Sequence, residues 1–315
     1  IVIFIYYILA TLLPVDKIIG KIYPLFAVAL IFMALGILVM LYVHHPALPE
    51  LWDGMNNTHP KAETSPIFPM MFITIACGAI SGFHATQSPL MARCMTSERH
   101  GRPVFYGAMI TEGIVALIWA TVATYFFHEN GMGISDASVV VFDISKSWLG
   151  EVGGILAILG VVAAPITSGD TAFRSARLIV ADFLRMEQKS MRSRLYICIP
   201  MFVAAAALLV YSLRDADGFQ LIWRYFAWAN QTLSVFTLWA VTVWLARERR
   251  GLSFLVTLLP ALLMTAVCTS YICVEPKGGL DLGLQYACPI AVGAALVALV
   301  WFGIWKKKAG RITRI

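Results

Sequence analysis

The sequence predicts an all-α fold, a polytopic bundle of about nine transmembrane helices, some of them broken. Three observations carry that reading. The chain of 315 residues is 59% hydrophobic and only 13% charged, with a mean hydropathy of +0.77, outside the usual soluble balance. Apolar runs of about 18 or more residues recur, each enough to cross a hydrocarbon core of roughly 30 Å. The segments between them alternate in charge, basic on one side and acidic on the other, as cytoplasmic and outer loops do.

The first run, Ile1–Leu13, is short for a crossing and shows no small-residue cleavage site. The chain is therefore expected to begin inside a membrane helix, as the C-terminal part of a longer protein. Leu13–Lys21 reads as a tight basic turn before the second span, Ile22–Val43. An outer loop with Glu50, Asp53 and Glu63 leads to the third span, Ile67–Met91. Arg93, Arg99 and Arg102 precede the fourth, Val104–Phe127. In the next outer loop Val139–Leu149 is expected to form a short interfacial helix, with Trp148 at headgroup level. Val152–Ile166 is the fifth span. Arg185, Lys189, Arg192 and Arg194 precede the sixth, Leu195–Leu213. The seventh, Phe219–Leu245, is followed by Arg247, Arg249 and Arg250, then by Leu252–Val274 and Gln285–Trp305. This divides the chain into a four-span portion (1–150), a five-span region (151–305) and a basic tail (306–315). The N-terminus is expected outside and the C-terminus in the cytoplasm.

The net charge of +6 follows from that topology. No basic patch alternates with exposed aromatics on a soluble module, so no nucleic-acid partner is expected. The tail cluster Lys306, Lys307, Lys308, Arg311 and Arg314 reads as a stop-transfer flank, with contact to membrane lipid as the other reading. The six cysteines form no C-x-x-C pair, so neither a metal site nor a cofactor is expected. Cys273 and Cys288 could be bridged across a short outer loop, but two buried thiols are the simpler reading.

Polar, helix-breaking residues sit where a plain lipid-facing helix would not carry them. Pro66–Arg93 as one helix would rise about 40 Å at roughly 1.5 Å per residue, more than the core needs. Within it, Gly78 and Gly82 permit unwinding, and Pro89 disfavours helix at Ser88. Irregular backbone at that depth is tolerated only where protein or a water-filled cavity covers it. Ser81, His84, Thr86, Gln87 and Ser88 are therefore expected to line a ligand cavity. The other reading is a G-x-x-x-G packing face with its polar groups satisfied between helices.

Val152–Leu184 would rise about 50 Å as one helix, and Pro165–Asp170 is expected to break it. Asp170 would cap a second, amphipathic helix, Thr171–Leu184, with Arg174 one turn on. Thr167, Ser168 and Asp170 thus join the candidate lining, since a free helix N-terminus suits a carboxylate. A structural Asp170–Arg174 pair is the alternative. Glu112, near the middle of the fourth span, must be paired, protonated or hydrated, which fits a coupling-proton site or a buried ion-pair partner. Asn230 and Gln231 place two amides at mid-depth in the seventh span, for ligand binding or interhelical hydrogen bonds. Arg224, nearer the outer end, is expected to snorkel. No H-E-x-x-H, G-x-S-x-G or phosphate-cradling glycine loop is present. A hydrolase built on Ser81 and His84 would lack its third group, so an enzyme is not expected.

Gly78–Arg93, Ser168–Arg177, Trp223–Gln231, Leu13–Gly20 and Gly101–Gly107 together resemble the carbon starvation protein A family. The resemblance implies an inner-membrane uptake carrier for peptides or pyruvate, coupled to protons and active when carbon is short. It also implies part of a leucine-transporter-like core, as in the amino acid–polyamine–cation superfamily. The third and fifth spans both run inward in the expected topology, whereas mates of an inverted repeat run oppositely, so at least one has its mate elsewhere. A small-molecule substrate and a coupling proton are the expected partners. The reading of a different class is a membrane nutrient sensor or receptor subunit that binds without transporting.

Overall fold

The computed structural model describes residues 5–8, 16–48, 50, 52, 56–57, 62–63, 65–130, 137–215, 218–248 and 251–312. Every regular element among them is helical. The order is α1 (Asp16–His44), a π-type turn (Ile67–Met71), α2 (Phe72–Ala79) and α3 (Gly82–Cys94). After a 3-10 turn (Glu98–His100) and a second π-type turn (Arg102–Gly107) come α4 (Ala108–Asn130), α5 (Ala137–Phe183) and α6 (Met191–Arg214). The chain ends with α7 (Gly218–Glu248), α8 (Leu255–Val274) and α9 (Leu284–Ile312).

Five segments are long and apolar enough to cross a membrane: Pro24–His44, Glu98–Glu129, Met191–Arg214, Leu255–Val274 and Leu284–Lys308. They match the expected second, fourth, sixth, eighth and ninth spans. The expected third is divided between short helices. The seventh forms as the 31-residue α7, but its Arg224, Asn230 and Gln231 dilute its apolar character. The first, Ile1–Leu13, lies mostly outside the described residues. Large apolar side chains such as Phe183, Tyr196, Val256 and Trp301 are exposed on the helices. That surface suits a lipid solvent, whereas water would select against so broad an apolar exterior.

The chain forms two units, residues 1–56 with 110–210, and residues 57–109 with 211–315. In the first, α1 packs along α5 around Met33, Ile37, Val140, Ile144 and Ala157, with Ile118 and Val122 from α4. The segment Val139–Leu149 is helical, as the first part of α5, and the Trp148 and His44 rings are tilted against each other with centroids 5.5 Å apart. One expectation is corrected here. No break occurs at Pro165–Asp170, and the helix continues through to Phe183. A membrane helix absorbs the amide lost at proline when its neighbouring turns stay bonded. The departure from helix falls at Gly150, whose φ of 65° is in the left-handed region that glycine reaches at low cost.

In the second unit α7 and α8 are antiparallel and joined by side-chain hydrogen bonds along their length. Trp228 Nε1 donates to the Cys268 carbonyl at 3.2 Å, Trp239 Nε1 to Thr265 Oγ1 at 3.0 Å, and Thr242 Oγ1 to Thr257 Oγ1 at 2.8 Å. Apolar packing fills the spaces between, with Met264, Val267 and Tyr271 buried against Ile73 and Ala76 of α2. Near the other end, Phe302 of α9 packs with Phe254 and Leu258. Cys273 and Cys288 are free thiols, as are Cys94, Cys198 and Cys268.

The loop after α8 folds back on it, with the Leu280 and Leu282 amides donating to the carbonyls of Ile272 and Cys273 at 2.9 and 2.7 Å. Gly278 turns this loop at φ 97°, and a Cβ there would fall on the Tyr225 hydroxyl. Gly278→Ala should therefore lower stability by about 1–2 kcal/mol from left-handed strain alone. A thermal melt in detergent would read this, and an unchanged midpoint would show that the turn and Tyr225 adapt without cost.

Candidate functional site

The break in the third apolar run lies two residues past Gly78. α2 ends at Ala79, Ile80 leaves helical geometry at φ −138° and ψ 79°, and Ser81 is extended at φ −96° and ψ 132°. A new helix, α3, then starts at Gly82. The expected second disturbance at Ser88–Pro89 is absent, because α3 runs through Pro89 to Cys94. Proline there forfeits only its own amide bond, and the flanking turns keep theirs.

A helix that starts inside the bundle has unpaired amides at its first turn. Ser81 caps α3 with its own hydroxyl, which accepts from the Phe83 amide at 3.2 Å. Asn230 of α7 completes the cap. Its Oδ1 accepts from the same amide at 2.8 Å, and its Nδ2 donates to Ser81 Oγ at 3.0 Å. Gly82 permits this approach. It is buried, and a Cβ on it would fall on the Asn230 carbonyl oxygen and 2.8 Å from Leu233 Cβ. Gln231, the next residue of α7, is fully buried, and its Nε2 reaches the Ile73 carbonyl of α2 at 3.5 Å. The Ser234 hydroxyl donates to the Gln231 carbonyl at 2.6 Å.

Two motifs about 150 residues apart in sequence are thus one structural group. Asn230 and Gln231 hold the two halves of the broken helix from the side of α7, which is the interhelical reading of those amides. Around them His84, Thr86, Gln87 and Ser88 are half-buried along α3. His84 and Ser88 are four residues apart and share a helix face. Thr86 Oγ1 donates to the Phe83 carbonyl at 2.8 Å, and Gln87 Nε2 lies 3.4 Å from Thr86 Oγ1.

The other candidates belong to the first unit. Glu112 is exposed on α4, and Ser168 is exposed on α5. The side chains of Thr167 and Asp170 lie outside the described residues. With α5 continuous through this stretch, the expected free helix N-terminus at Thr171 is not formed.

One polar group was missed by sequence reasoning. Arg224 forms an ion pair: its Nη1 lies 2.9 Å from Glu275 Oε1, and the Glu275 side chain is only 5% exposed. The Lys277 amide also approaches this carboxylate oxygen, at 3.4 Å. The signal was available. Arg224 opens α7 and Glu275 follows α8, so an antiparallel pairing brings both to one end. Among the described residues no group of His, Cys, Asp and Glu is gathered that could hold a metal ion.

A protein-family model described as Carbon starvation protein CstA matches residues 1–147 and 138–271. An uncharacterized membrane protein of Haemophilus influenzae is 48% identical over 151 residues, covering 43% of this chain and 40% of that protein. A protein of Helicobacter pylori named Peptide transporter CstA is 26% identical over 300 residues, covering 74% of this chain and 43% of its own length. An Escherichia coli protein named Pyruvate/proton symporter BtsT is 34% identical over 138 residues, covering 40% of this chain and 17% of its own length. The chain thus spans less than half the length of these three relatives. No solved structure matches.

Proposed function

Since this chain belongs to the carbon starvation protein CstA family, we propose that it acts in proton-coupled uptake of a small carboxylate such as pyruvate, or of short peptides, across the inner membrane. The observation that carries the reading is the capped break at Ile80–Ser81, a helix interruption inside an apolar, multi-helix chain. Backbone of that kind in a membrane is held only where protein or a cavity covers it. The names of the two transporter relatives agree with it, one for peptides and one for pyruvate with a proton.

In this proposal Ser81, His84, Thr86, Gln87 and Ser88 line the substrate path. Asn230 and Gln231 act as the rear support of the break. Glu112 or His84 carries the coupling proton. The bundle has nine spans in a leucine-transporter-like arrangement, with the C-terminal tail in the cytoplasm.

Vesicles containing the full-length protein should accumulate labelled pyruvate or dipeptide faster under an inward proton gradient than without one. Binding without accumulation would favour a receptor. Glu112→Gln should abolish gradient-driven uptake while the variant remains inserted at wild-type levels. If its uptake keeps the wild-type pH dependence, Glu112 has no part in coupling and His84 becomes the remaining candidate.

A further inference from the structure

The α5–α6 hairpin buries a cation. Arg177 is 8% exposed, and its Nε and Nη1 atoms are buried without a hydrogen-bond partner. Gln188, in the connecting loop, has both amide atoms buried and likewise unpartnered. Arg174 and Arg194 are near enough to add positive potential at Arg177, and Arg194 Nε donates to the Gln188 carbonyl at 2.8 Å. Among the described residues, the acids flanking the connecting loop do not offset that charge. Asp182 and Glu187 are exposed, and Glu187 is 3.7 Å from Lys189.

Arginine cannot relieve burial by losing its proton. An uncompensated buried charge is among the costliest groups a fold can hold. The arrangement calls for an oxyanion that accepts from several donors at once. A second observation says what else that anion carries. A groove of about 300 Å³, lined by Leu195, Cys198, Ile199, Phe202, Val203 and Ile8, runs beside the same hairpin. Cys198 belongs to both features, since it lines the groove and lies near Arg177. The outward side chains nearby, Ile179, Val180, Phe183 and Tyr196, are apolar and exposed.

We propose that the loop end of the α5–α6 hairpin binds an acidic phospholipid, its phosphate against Arg177 and one acyl chain in the groove beside Cys198. A soluble carboxylate would use the charge but leave the apolar groove without purpose. A neutral lipid would fill the groove but leave Nε and Nη1 of Arg177 unpaired. This site is separate from the break at Ile80–Ser81 and does not depend on what the protein transports.

The test is native mass spectrometry of the full-length protein released from nanodiscs of equal phosphatidylglycerol and phosphatidylcholine. Wild type should retain phosphatidylglycerol on the order of tenfold over phosphatidylcholine, as one charge-assisted contact warrants. Arg177→Gln should erase that preference, whereas Arg192→Gln, an exposed arginine of the same hairpin, should keep it. Ala206 also lines the groove, so Ala206→Phe fills it, leaves the charge intact and should also lose the lipid, which covers the case in which Arg177→Gln does not fold. Equal retention of the two lipids by wild type, or an unaltered preference in Arg177→Gln or Ala206→Phe, would overturn the proposal. So would inorganic phosphate stabilising wild type through Arg177 in the absence of any lipid preference, which would make the occupant a free ion.

Discussion

Gly82→Ala should separate α3 from α7 and abolish the proposed uptake by the full-length protein. The added Cβ would overlap the Asn230 carbonyl oxygen and come within 2.8 Å of Leu233 Cβ and 3.0 Å of the Ser234 amide nitrogen. Two of those three atoms are backbone, so no side-chain rotation clears them. Overpacking of a close site costs about 1–3 kcal/mol when side chains can yield. Here the helix axes must move apart, and the Asn230 cap is lost with them, so a loss at the top of that range or beyond is expected. Gly113→Ala is the matched control, since nothing lies within 4 Å of a Cβ there. It should be neutral or slightly stabilising by helix propensity. A Gly82→Ala variant that melts with Gly113→Ala and transports normally would show that α3 and α7 are not held at this distance in the working protein.

Asn230→Leu should have the next largest effect. It preserves bulk while removing the acceptor for the Phe83 amide and the donor to Ser81 Oγ. Each buried polar group left unpaired costs about 1–3 kcal/mol, and lipid offers no water as a substitute. The expected loss is about 2–4 kcal/mol. Backbone amide exchange at Phe83 should accelerate in the variant, while exchange in the middle of α8 should not. Wild-type protection at Phe83 would mean that Ser81 alone suffices as the cap.

Much of this was legible in the sequence for a simple reason. In a membrane the helices announce themselves by apolar length, and the irregular places by residues that lipid cannot tolerate. Gly78–Ser88 was readable because His84, Thr86, Gln87 and Ser88 are costly there. The position of the break was only approximate, because Gly82 and Pro89 both weaken a helix locally. What decides between them is tertiary: Gly82 faces the backbone of α7, and Pro89 does not interrupt α3. The same blindness explains Pro165–Asp170, where breaker residues did not break, and Gly150, where the chain turned sharply at a glycine that composition did not distinguish. The Asn230 cap depends on which helices are neighbours, which a single sequence does not state.

The three side-chain hydrogen bonds between α7 and α8 constrain how these two helices can move. Sliding one helix past the other by a single residue would break all three together, in a solvent that offers no replacement partners. In the proposed transport cycle α7 and α8 would therefore move as a single lever. Relative motion is left to places where the backbone is already free of the helical ladder.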